Sequence, residues 1–222
     1  MICLENVVKT YRTRRGDVAA LNDINLRIEK GKFVVICGAS GSGKTTLLMT
    51  ISAMLNPTSG TVSVEQNNLY AMSIQARAKF RAENIGFVFQ MFHLVPYLNI
   101  LENILLAGGT VAGNNKNAKA LELIEQFGLS GRNHHKPAEL SAGEKQRTAI
   151  ARALLNNPKI ILADEPTGNL DTDNATSVLG YLSKFHKAGG TVILATHGTE
   201  AERFADRIVN LHDGKVTNPE KF

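Results

Sequence analysis

A glycine-rich segment at residues 38–45 carries the clearest chemical signal of the sequence. It reads GASGSGKT, fits the pattern G-x4-G-K-S/T, and lies between the apolar run 33–37, a predicted strand, and a predicted helix. Glycines let backbone N–H groups converge on phosphate oxygens, and a helix N-terminus adds partial positive charge. The pattern therefore predicts a nucleotide site in which Lys44 reaches the β- and γ-phosphates and the Thr45 hydroxyl holds Mg²⁺. The alternative is a chance glycine-rich turn, but a random match to this pattern somewhere in a chain of this length has odds of only roughly 1%.

Two carboxylates, Asp164 and Glu165, directly follow the apolar run 160–163. Parallel sheets bind ligands at the carboxyl ends of their strands, where both side chains would lie. We therefore expect Asp164 to orient Mg²⁺ and Glu165 to polarise a water that attacks the γ-phosphate. The alternative is that both residues only begin a surface loop before Pro166. The glycine-rich segment upstream makes that alternative much weaker.

His197 follows another apolar run, at residues 191–196. A single histidine after a strand more often has a structural role than a catalytic one. Its position at a strand end, like that of Glu165, favours a sensor of the γ-phosphate, for which either a neutral or a charged imidazole would serve.

A second helix start is predicted at Ser141. Ser141 and Glu144 have the spacing of a capping box, which alone would explain both residues. A serine, a small residue and Gly143 at a helix N-terminus also make an anion site. Two such helix starts in one chain suggest a composite site shared by two subunits.

The elements that would position these residues alternate between strand and helix. In the N-terminal part, the sequence predicts strands at 2–8, 24–28, 33–37, 61–64 and 86–89 and a polar loop at 12–17. It also predicts a helix whose apolar residues are Leu47, Leu48, Ile51, Met54 and Leu55. From about residue 91 to 157 the apolar period is helical, with Ala120, Leu123, Ile124 and Phe127 on one face and Gly128 as the helix end. Strands at 159–163, 191–195 and 207–211, a helix at 177–187 and a turn at Asp213-Gly214 follow. This order predicts an α/β fold with a parallel sheet and a helical insertion.

Composition excludes several classes of protein. Apolar residues make up 43% and charged residues 20% of the 222 residues, which excludes a disordered or collagen-like chain. No apolar run approaches the roughly 18 residues that cross a bilayer, and the N-terminus has no signal-peptide pattern. Cys3 and Cys37 have no metal or disulfide spacing, which indicates a reducing compartment. We therefore expect a soluble cytoplasmic domain.

The net charge of +5 is compatible with nucleic acid, an anionic membrane surface or a phosphorylated small molecule as ligand. Residues 1–60 hold eight basic and four acidic residues, so they carry most of the excess. Because the excess lies around the glycine-rich segment, it favours a phosphate ligand.

Together these residues resemble the ATP-binding cassette (ABC) ATPases, and the resemblance extends over essentially the whole chain. The matching motifs are the phosphate loop 38–45, the Q-loop Gln90, the signature 140–146, the Walker B strand 160–165, the D-loop 169–171 and the switch histidine His197. The resemblance implies a P-loop NTPase with a RecA-like parallel sheet, an N-terminal antiparallel β subdomain and an inserted α-helical subdomain. It implies one ABC ATPase domain over 1–222, with a nucleotide-binding core at 1–90 and 158–222 and a helical subdomain at 91–157.

The same resemblance implies a head-to-tail homodimer that sandwiches two ATP molecules. Lys44, Glu165 and His197 would be catalytic, with Glu165 as general base and His197 as the clamp on the γ-phosphate. Mg²⁺ would be held by Thr45, Gln90 and Asp164. The ATP-binding residues would be Tyr11, Gly38, Ala39, Ser40, Gly41, Ser42, Gly43, Lys44, Thr45, Thr46, Gln90, Asp171 and, from the other subunit, Ser141 and Gly143. Tyr11 would stack on adenine; the alternative is an ordinary tyrosine at a strand end.

Three positions depart from the commonest family pattern. Ala142 replaces a glycine of the signature, Ala39 a frequent proline, and Thr45 a frequent serine. These changes bear on affinity more than on activity, because Thr45 keeps its hydroxyl. Glu165 and His197 argue against an inactive ATPase.

Residues 86–96, 101–103 and 163–171 are similar to one branch of the family, the ATPase subunits of the LolD, MacB and FtsE types. That branch works with four-helix permease subunits, so we expect an integral membrane permease as partner and a peripheral position on the inner face of the cell membrane. Phe92, Leu94 and Tyr97 would either belong to a helical core or line a groove for the permease. The cargo contacts would lie on the permease.

Three functions stay open at this point. The first is an ATPase that powers a membrane transporter or mechanotransmission complex, of the lipoprotein-release or macrolide or peptide export type. The second is an FtsE-type regulatory ATPase that signals through a membrane partner without moving cargo. The third, an ABC protein acting on nucleic acid or ribosomes, has only the basic cluster Arg12, Arg14 and Arg15 in its support and lacks a second cassette or long insertion, so we expect no nucleic-acid partner. A GTPase is disfavoured because the sequence has no Asn-Lys-x-Asp motif.

Overall fold

In the computed structural model, which describes residues 1–14, 16–110 and 115–217, the chain forms ten strands and six α-helices. The strands are β1 (Ile2–Thr13), β2 (Gly16–Ile28), β3 (Phe33–Cys37), β4 (Ser59–Val64), β5 (Asn67–Asn68), β6 (Ile85–Val88), β7 (Ile160–Asp164), β8 (Thr191–Thr196), β9 (Arg207–His212) and β10 (Lys215–Val216). The helices are α1 (Lys44–Ile51), α2 (Ile74–Asn84), α3 (Ile100–Leu105), α4 (Lys116–Gln126), α5 (Ala142–Leu154) and α6 (Thr172–Lys187).

The six-stranded sheet, in the order β10-β9-β3-β8-β7-β6, forms the centre of the fold. Strands β9, β3, β8, β7 and β6 are parallel to one another, and every residue of β7 and β8 is buried. Continuous apolar runs form such strands because both faces of a parallel sheet are covered. The predicted parallel sheet is confirmed.

Strand register brings the carboxyl ends of β3, β7 and β8 to one edge of this sheet. Cys37 pairs with Thr196, and Asp164 pairs with Ala195. The loops that follow these three strands therefore start side by side. This is the edge at which α/β sheets bind ligands.

Alternate residues of the central strands enter two apolar clusters, one on each face of the sheet. On one face, Val34 and Ile36 pack with α1 and with the antiparallel sheet β2-β1-β4-β5. On the other face, Phe33 and Val35 pack with the apolar sides of α3, α4, α5 and α6. The helices of the insertion thus share a core with the parallel sheet.

The N-terminal hairpin is longer than predicted. The sequence indicated a polar loop at 12–17, but β1 and β2 pair as far as Thr13 and Gly16. That prediction was wrong because backbone pairing continues through exposed polar residues, whose side chains leave no apolar alternation to read. Arg15 lies outside the described residues.

Helix predictions differ in their outcomes. In α4, Ala120, Leu123 and Ile124 are buried and Gly128 has a φ of +64°, as expected for a glycine that ends a helix. By contrast, α1 ends at Ile51 and leaves Met54 exposed, because the chain turns at Ala53, where φ is +62°.

One helix was not predicted at all. Helix α2 has no buried residue, so its sequence carries no apolar stripe, and its start is marked only by the Ser73 cap on Ala76 N–H. Helix α6 begins five residues earlier than predicted, where Asp171 accepts a hydrogen bond from Asn174 N–H at 2.9 Å.

The insertion between β6 and β7 contains α3, α4 and α5. The subdomain boundaries at residues 91 and 157 stay a prediction. In the described part of the chain, no helix combines the length and apolar character that a membrane crossing requires.

Candidate functional site

The loop between β3 and α1 has a shape that only glycine permits at two positions. A Cβ atom at Gly43, where φ is +105°, would lie 2.3 Å from the carbonyl oxygen of Ala20. A Cβ atom at Gly38 would lie 2.4 Å from the carbonyl oxygen of Leu211. Both approaches are too close for a side chain, so these glycines let the loop fold tightly before α1 begins at Lys44.

A C-terminal turn supports this loop from behind. Gly214, in the turn between β9 and β10, donates its N–H to the carbonyl of Ser42 at 3.0 Å. Its own carbonyl accepts from Asn22 N–H at 2.8 Å. Asp213 and Gly214 have φ angles of +46° and +72°, so the predicted Asp-Gly hairpin turn is present. The turn joins the loop to β2.

A cavity of about 530 Å³ opens over the loop at the carboxyl edge of the parallel sheet. That volume lies within the range of small-molecule and cofactor sites. It is lined by Ala20, Ala39, Ser40, Gly41, Gly43, Lys44, Thr45, Thr46, Gln90, Glu165 and His197. The structure therefore brings together, around one cavity, predicted residues that are more than 150 positions apart in sequence (197 − 39 = 158).

Lys44 is held inside the loop that precedes it. Its side chain is buried, and Nζ donates to the carbonyl oxygens of Gly38 at 2.7 Å and Ala39 at 3.1 Å. The same atom lies 3.4 Å from Oε1 of Glu165. The ammonium is thus fixed beside the cavity at the N-terminus of α1, where positive charge from the lysine and the helix add.

Glu165 links the two remaining predicted catalytic residues. Its Oε1 lies 3.4 Å from Nζ of Lys44 and 3.0 Å from Nδ1 of His197. Its φ angle is +44°, a left-handed conformation that costs on the order of 1–3 kcal/mol outside glycine. The Glu165 side chain is 11% exposed, whereas His197 is 67% exposed. A carboxylate held this way can accept a proton from a water in the cavity, and the histidine can reach outward.

Asp164 has an environment suited to a cation. It is buried, its Oδ1 has no hydrogen-bond partner among the described residues, and its carboxylate accepts from the Thr45 hydroxyl. Burial raises the pKa of Asp164, and the bond from Thr45 opposes that rise. A buried carboxylate oxygen without a partner and a neighbouring hydroxyl are the hard oxygen donors that Mg²⁺ prefers. The residues present therefore fit Mg²⁺.

The protein offers only part of a metal shell. Within the described ranges, no group of three or more His, Cys, Asp and Glu side chains could hold a metal ion. This agrees with the usual Mg²⁺ site of nucleotide enzymes, where one or two protein oxygens act together with phosphates and waters.

Gln90 lines the cavity two residues after the end of β6. Its Nε2 would be 3.3 Å from a Cβ atom at Gly168, so the glycine gives the amide room beside the loop that follows Glu165. Asn169 Nδ2 donates to the Gln90 carbonyl at 3.4 Å. The Gln90 loop and the loop after β7 are therefore in direct contact.

Ser141 and Glu144 form the predicted capping box at the start of α5. Glu144 N–H donates to Ser141 Oγ at 3.2 Å, and Ser141 N–H donates to Glu144 Oε2 at 2.8 Å. The bond from the Ser141 N–H lowers the pKa of Glu144, and Arg132 Nε lies 3.3 Å from its Oε1. These contacts occur within one chain, and Ser141 and Gly143 do not line the cavity. The composite site stays a prediction.

A hydrogen-bonded chain joins the start of α5 to the start of α6. Arg147 Nη1 donates to Asn174 Oδ1 at 3.0 Å, and Asn174 Nδ2 donates to Asp171 Oδ2 at 2.7 Å. A Cβ atom at Gly143 would lie 2.1 Å from the same Asn174 oxygen. Asp171 is thus placed as the cap of α6, beside the signature residues and away from the cavity lining.

Tyr11 is not among the residues that line the cavity. It lies on β1 with 39% of its surface exposed, and Lys9 Nζ is 5.3 Å from its ring centroid. Its stacking on adenine stays a prediction.

Sequence reasoning missed Ala20 and Arg152, and it named Gln146 only as the end of the signature without predicting its contact. Ala20 lines the cavity through its place on β2, which no side-chain pattern reveals. Gln146 is fully buried and donates from Nε2 to the Pro166 carbonyl, next to Glu165, at 2.8 Å. Arg152 binds the loop after Gln90. For Gln146, a polar residue on the buried side of an amphipathic helix was the available signal.

Comparisons with known proteins agree with this geometry. Residues 21–168 match the family described as ABC transporter. YvrO of Bacillus subtilis (strain 168), an uncharacterized ABC transporter ATP-binding protein, is 43% identical over all of this chain and 97% of its own length. The ATP-binding and permease protein MacB of Chlorobaculum tepidum, named for macrolide export, is 41% identical over all of this chain and 34% of its own length.

Solved structures of MJ0796, an ABC transporter cassette of Methanocaldococcus jannaschii, superpose closely. A chain of its dimeric structure matches this chain with a TM-score of 0.93 and 42% sequence identity. The match covers all of this chain and 98% of the MJ0796 chain. A second dimeric structure, of a post-hydrolysis state bound to ADP and Pi, has a TM-score of 0.91 at 41% identity over the same shares of the two chains.

Proposed function

Because this chain belongs to the ABC transporter family, it is an ATP-binding and ATP-hydrolysing subunit, and we propose that it powers a membrane export or mechanotransmission complex as a homodimer bound to a permease. The observation that carries the proposal is the meeting of Lys44, Glu165 and His197 beside one cavity at the carboxyl edge of the sheet. The family match and the names of the relatives favour transport over the FtsE-type regulatory alternative.

ATP is bound through its phosphates by residues 38–46. The N-terminus of α1 and the Lys44 ammonium supply positive charge, and backbone N–H groups of the glycine-rich loop supply donors. Ser42 Oγ is buried with no partner in the described residues, which leaves it free to order the loop around a phosphate. Tyr11 would add a stacking contact to adenine.

Mg²⁺ would be held by Thr45, Gln90 and Asp164 together with the phosphates. When bound, it supplies positive charge that neutralises the oxygens of the transferred phosphoryl group. Support comes from the buried Asp164 carboxylate, its bond with Thr45 and the position of Gln90 on the same cavity.

Hydrolysis would use Glu165 as general base. A water oxygen attacks the γ-phosphorus, the water proton passes to the Glu165 carboxylate, and ADP leaves with the electron pair of the broken bond. His197, next to Glu165 and mostly exposed, would contact the γ-phosphate. Positioned general bases contribute roughly 10²- to 10⁴-fold to a rate, and that range is the expected effect of removing Glu165.

The second subunit would complete the site. Ser141 and Gly143 at the N-terminus of α5 make an anion site away from the cavity of their own chain, so they are available to a nucleotide bound by a partner. Asp171, beside them, would lie at the same interface. The dimeric structures of MJ0796 support this arrangement.

The permease would dock on a groove of about 430 Å³ between the parallel sheet and the insertion. Its lining combines apolar residues, which include Phe87, Phe89 and Leu106, with the polar residues Arg81, His93, Arg152 and Asn156. Of the residues named from sequence, Tyr97 is 73% exposed, and Phe92 and Leu94 do not line this groove. Through such a partner the subunit would sit in the cytoplasm against the inner face of the membrane, with no nucleic acid bound.

The test of this proposal compares Lys44→Ala and Glu165→Gln in the purified protein with Mg-ATP. Lys44→Ala should abolish ATP binding or turnover. Glu165→Gln should lower kcat by about 10²-fold or more, keep ATP binding, and shift the protein to a dimer in size-exclusion chromatography. Glu122→Gln makes the same change at an exposed surface pair and serves as control. Unchanged turnover in Glu165→Gln would overturn the catalytic assignment.

A further inference from the structure

The loop that carries Gln90 contains two successive residues in a left-handed conformation. Phe92 and His93 have φ angles of +59° and +45°. His93 N–H donates to the Met91 carbonyl, which closes a three-residue turn around Phe92. Left-handed backbone is uncommon outside glycine and is a genuine outlier for a bulky residue such as phenylalanine. Something in the surroundings must hold this turn.

Arg152 is the side chain that holds it. From the last turn of α5, Nη1 donates to the His93 carbonyl at 2.6 Å and Nη2 donates to the Phe92 carbonyl at 2.7 Å. The planar guanidinium presents both N–H groups in a fixed fork, so the two bonds fix the relative orientation of the two peptides. Among the ion pairs of the described residues, none involves Arg152. Its charge is directed at these carbonyls.

The same loop is held on its other side near the cavity. Asn169, which follows Glu165 by four residues, donates to the Gln90 carbonyl. The Phe89 ring lies 4.7 Å from the His93 ring in an edge-on arrangement and 4.2 Å from the Phe87 ring. Gln90 is therefore placed between a contact to the catalytic loop and a turn that depends on Arg152.

Helix α5 connects this turn to the predicted contact with the second subunit. Its N-cap is Ser141, and Arg152 is eleven residues further on, about 16 Å along a rigid helix axis. Ser141 and the side chain that binds the Phe92 and His93 carbonyls thus belong to one continuous helix.

We propose that Arg152 is a positioning residue for ATP hydrolysis: it holds the Phe92–His93 turn so that Gln90 stays at the cavity, and it ties that placement to the signature end of α5. This inference rests on the proposed function. It predicts that loss of Arg152 impairs the chemical step and leaves nucleotide capture by residues 38–46 largely intact.

The experiment compares Arg152→Gln, Arg152→Lys and Arg77→Gln with the unmodified protein in steady-state Mg-ATP hydrolysis. Arg152→Gln should lower kcat about tenfold, which is about 1.4 kcal/mol of transition-state stabilisation, with KM for ATP changed less than about twofold. Arg152→Lys keeps the charge and a donor and should recover about half of that loss on a logarithmic scale. Arg77, which lies over the Tyr70 ring and does not contact the Gln90 loop, is the matched control.

Two further measurements separate positioning from a structural role. Arg152→Gln combined with Glu165→Gln should still bind ATP with the affinity of Glu165→Gln alone, and both Arg152 variants should remain folded at the assay temperature in a thermal unfolding measurement. A kcat of Arg152→Gln within twofold of the unmodified protein would overturn the proposal. The proposal would also be overturned if Arg152→Lys and Arg152→Gln lost kcat equally and both had a lower melting temperature than the control. Failure of the proposed function would appear separately, as unchanged turnover in Lys44→Ala and Glu165→Gln.

Discussion

Asp164→Asn should stabilise the protein while it removes activity. One oxygen of the buried carboxylate has no hydrogen-bond partner among the described residues, and burial raises the pKa of Asp164, so folding disfavours its ionised form. A buried polar group without a partner costs roughly 1–3 kcal/mol, and an isosteric amide keeps the acceptor for Thr45 while it removes the charge. The new amide N–H₂ also lacks a partner, which offsets part of this benefit. We therefore expect the free energy of unfolding to rise by about 1 kcal/mol. For a chain of this size that gain raises the melting temperature by roughly 2–4 °C.

The assay is thermal unfolding without nucleotide and with the divalent cations chelated, followed by Mg-ATP hydrolysis of the same samples. Burial raises the folded-state pKa of Asp164 above its ordinary value of 3.8, so the destabilisation is absent at a pH well below 3.8 and grows as pH rises toward the folded-state pKa. The difference in melting temperature between variant and unmodified protein should therefore shrink toward pH 4. Turnover with Mg-ATP should fall on the order of 100-fold or more if Asp164 is the Mg²⁺ ligand that we propose.

Asp171→Asn makes the same chemical change with the opposite expectation. The bond from Asn174 N–H lowers the pKa of Asp171, so its carboxylate stabilises the fold at neutral pH and this contribution is lost as pH falls. That variant should melt slightly below the unmodified protein. If Asp164→Asn also melts below the unmodified protein at neutral pH, the buried carboxylate does not destabilise the fold as we expect.

Three further changes test the remaining parts of the site. Ser141→Arg in the Glu165→Gln background should prevent the Mg-ATP dimer while each monomer binds ATP, and a normal dimer by size-exclusion chromatography would contradict a composite site. Gly43→Ala should weaken ATP binding at least about tenfold in a fluorescent-nucleotide titration, because its Cβ would meet the Ala20 carbonyl at 2.3 Å. Tyr11→Ala should raise KM for ATP about fivefold or more with little change in kcat if the ring stacks on adenine, and an unchanged KM would leave Tyr11 an ordinary strand residue.

The sequence predicted the parts of the molecule in which burial dominates. Strand β3 was predicted to the residue, and β7 and β8 to within a residue or so, because strands covered on both faces need continuous apolar runs. Once these strands are parallel, their carboxyl ends must meet, so the convergence of Lys44, Glu165 and His197 follows from the motifs.

Features without a burial pattern could not be predicted from the sequence. Helix α2 buries no residue, and the outer half of the β1–β2 hairpin is exposed, so neither shows a period. The role of Arg152 could not be predicted for another reason. Its partners are backbone carbonyls 59 and 60 positions away, and every residue has a backbone carbonyl, so the sequence does not indicate which one is bound.

The support of the phosphate loop by Gly214 has a consequence for the order of synthesis. Lys44 leaves the ribosome 170 residues before Gly214 (214 − 44 = 170), yet the Ser42 carbonyl finds its donor only in that late turn. Strands β7 and β8, which bring Glu165 and His197, are also made after the loop. We therefore expect a growing chain to complete its phosphate-binding loop only when the hairpin of β9 and β10 has emerged from the ribosome.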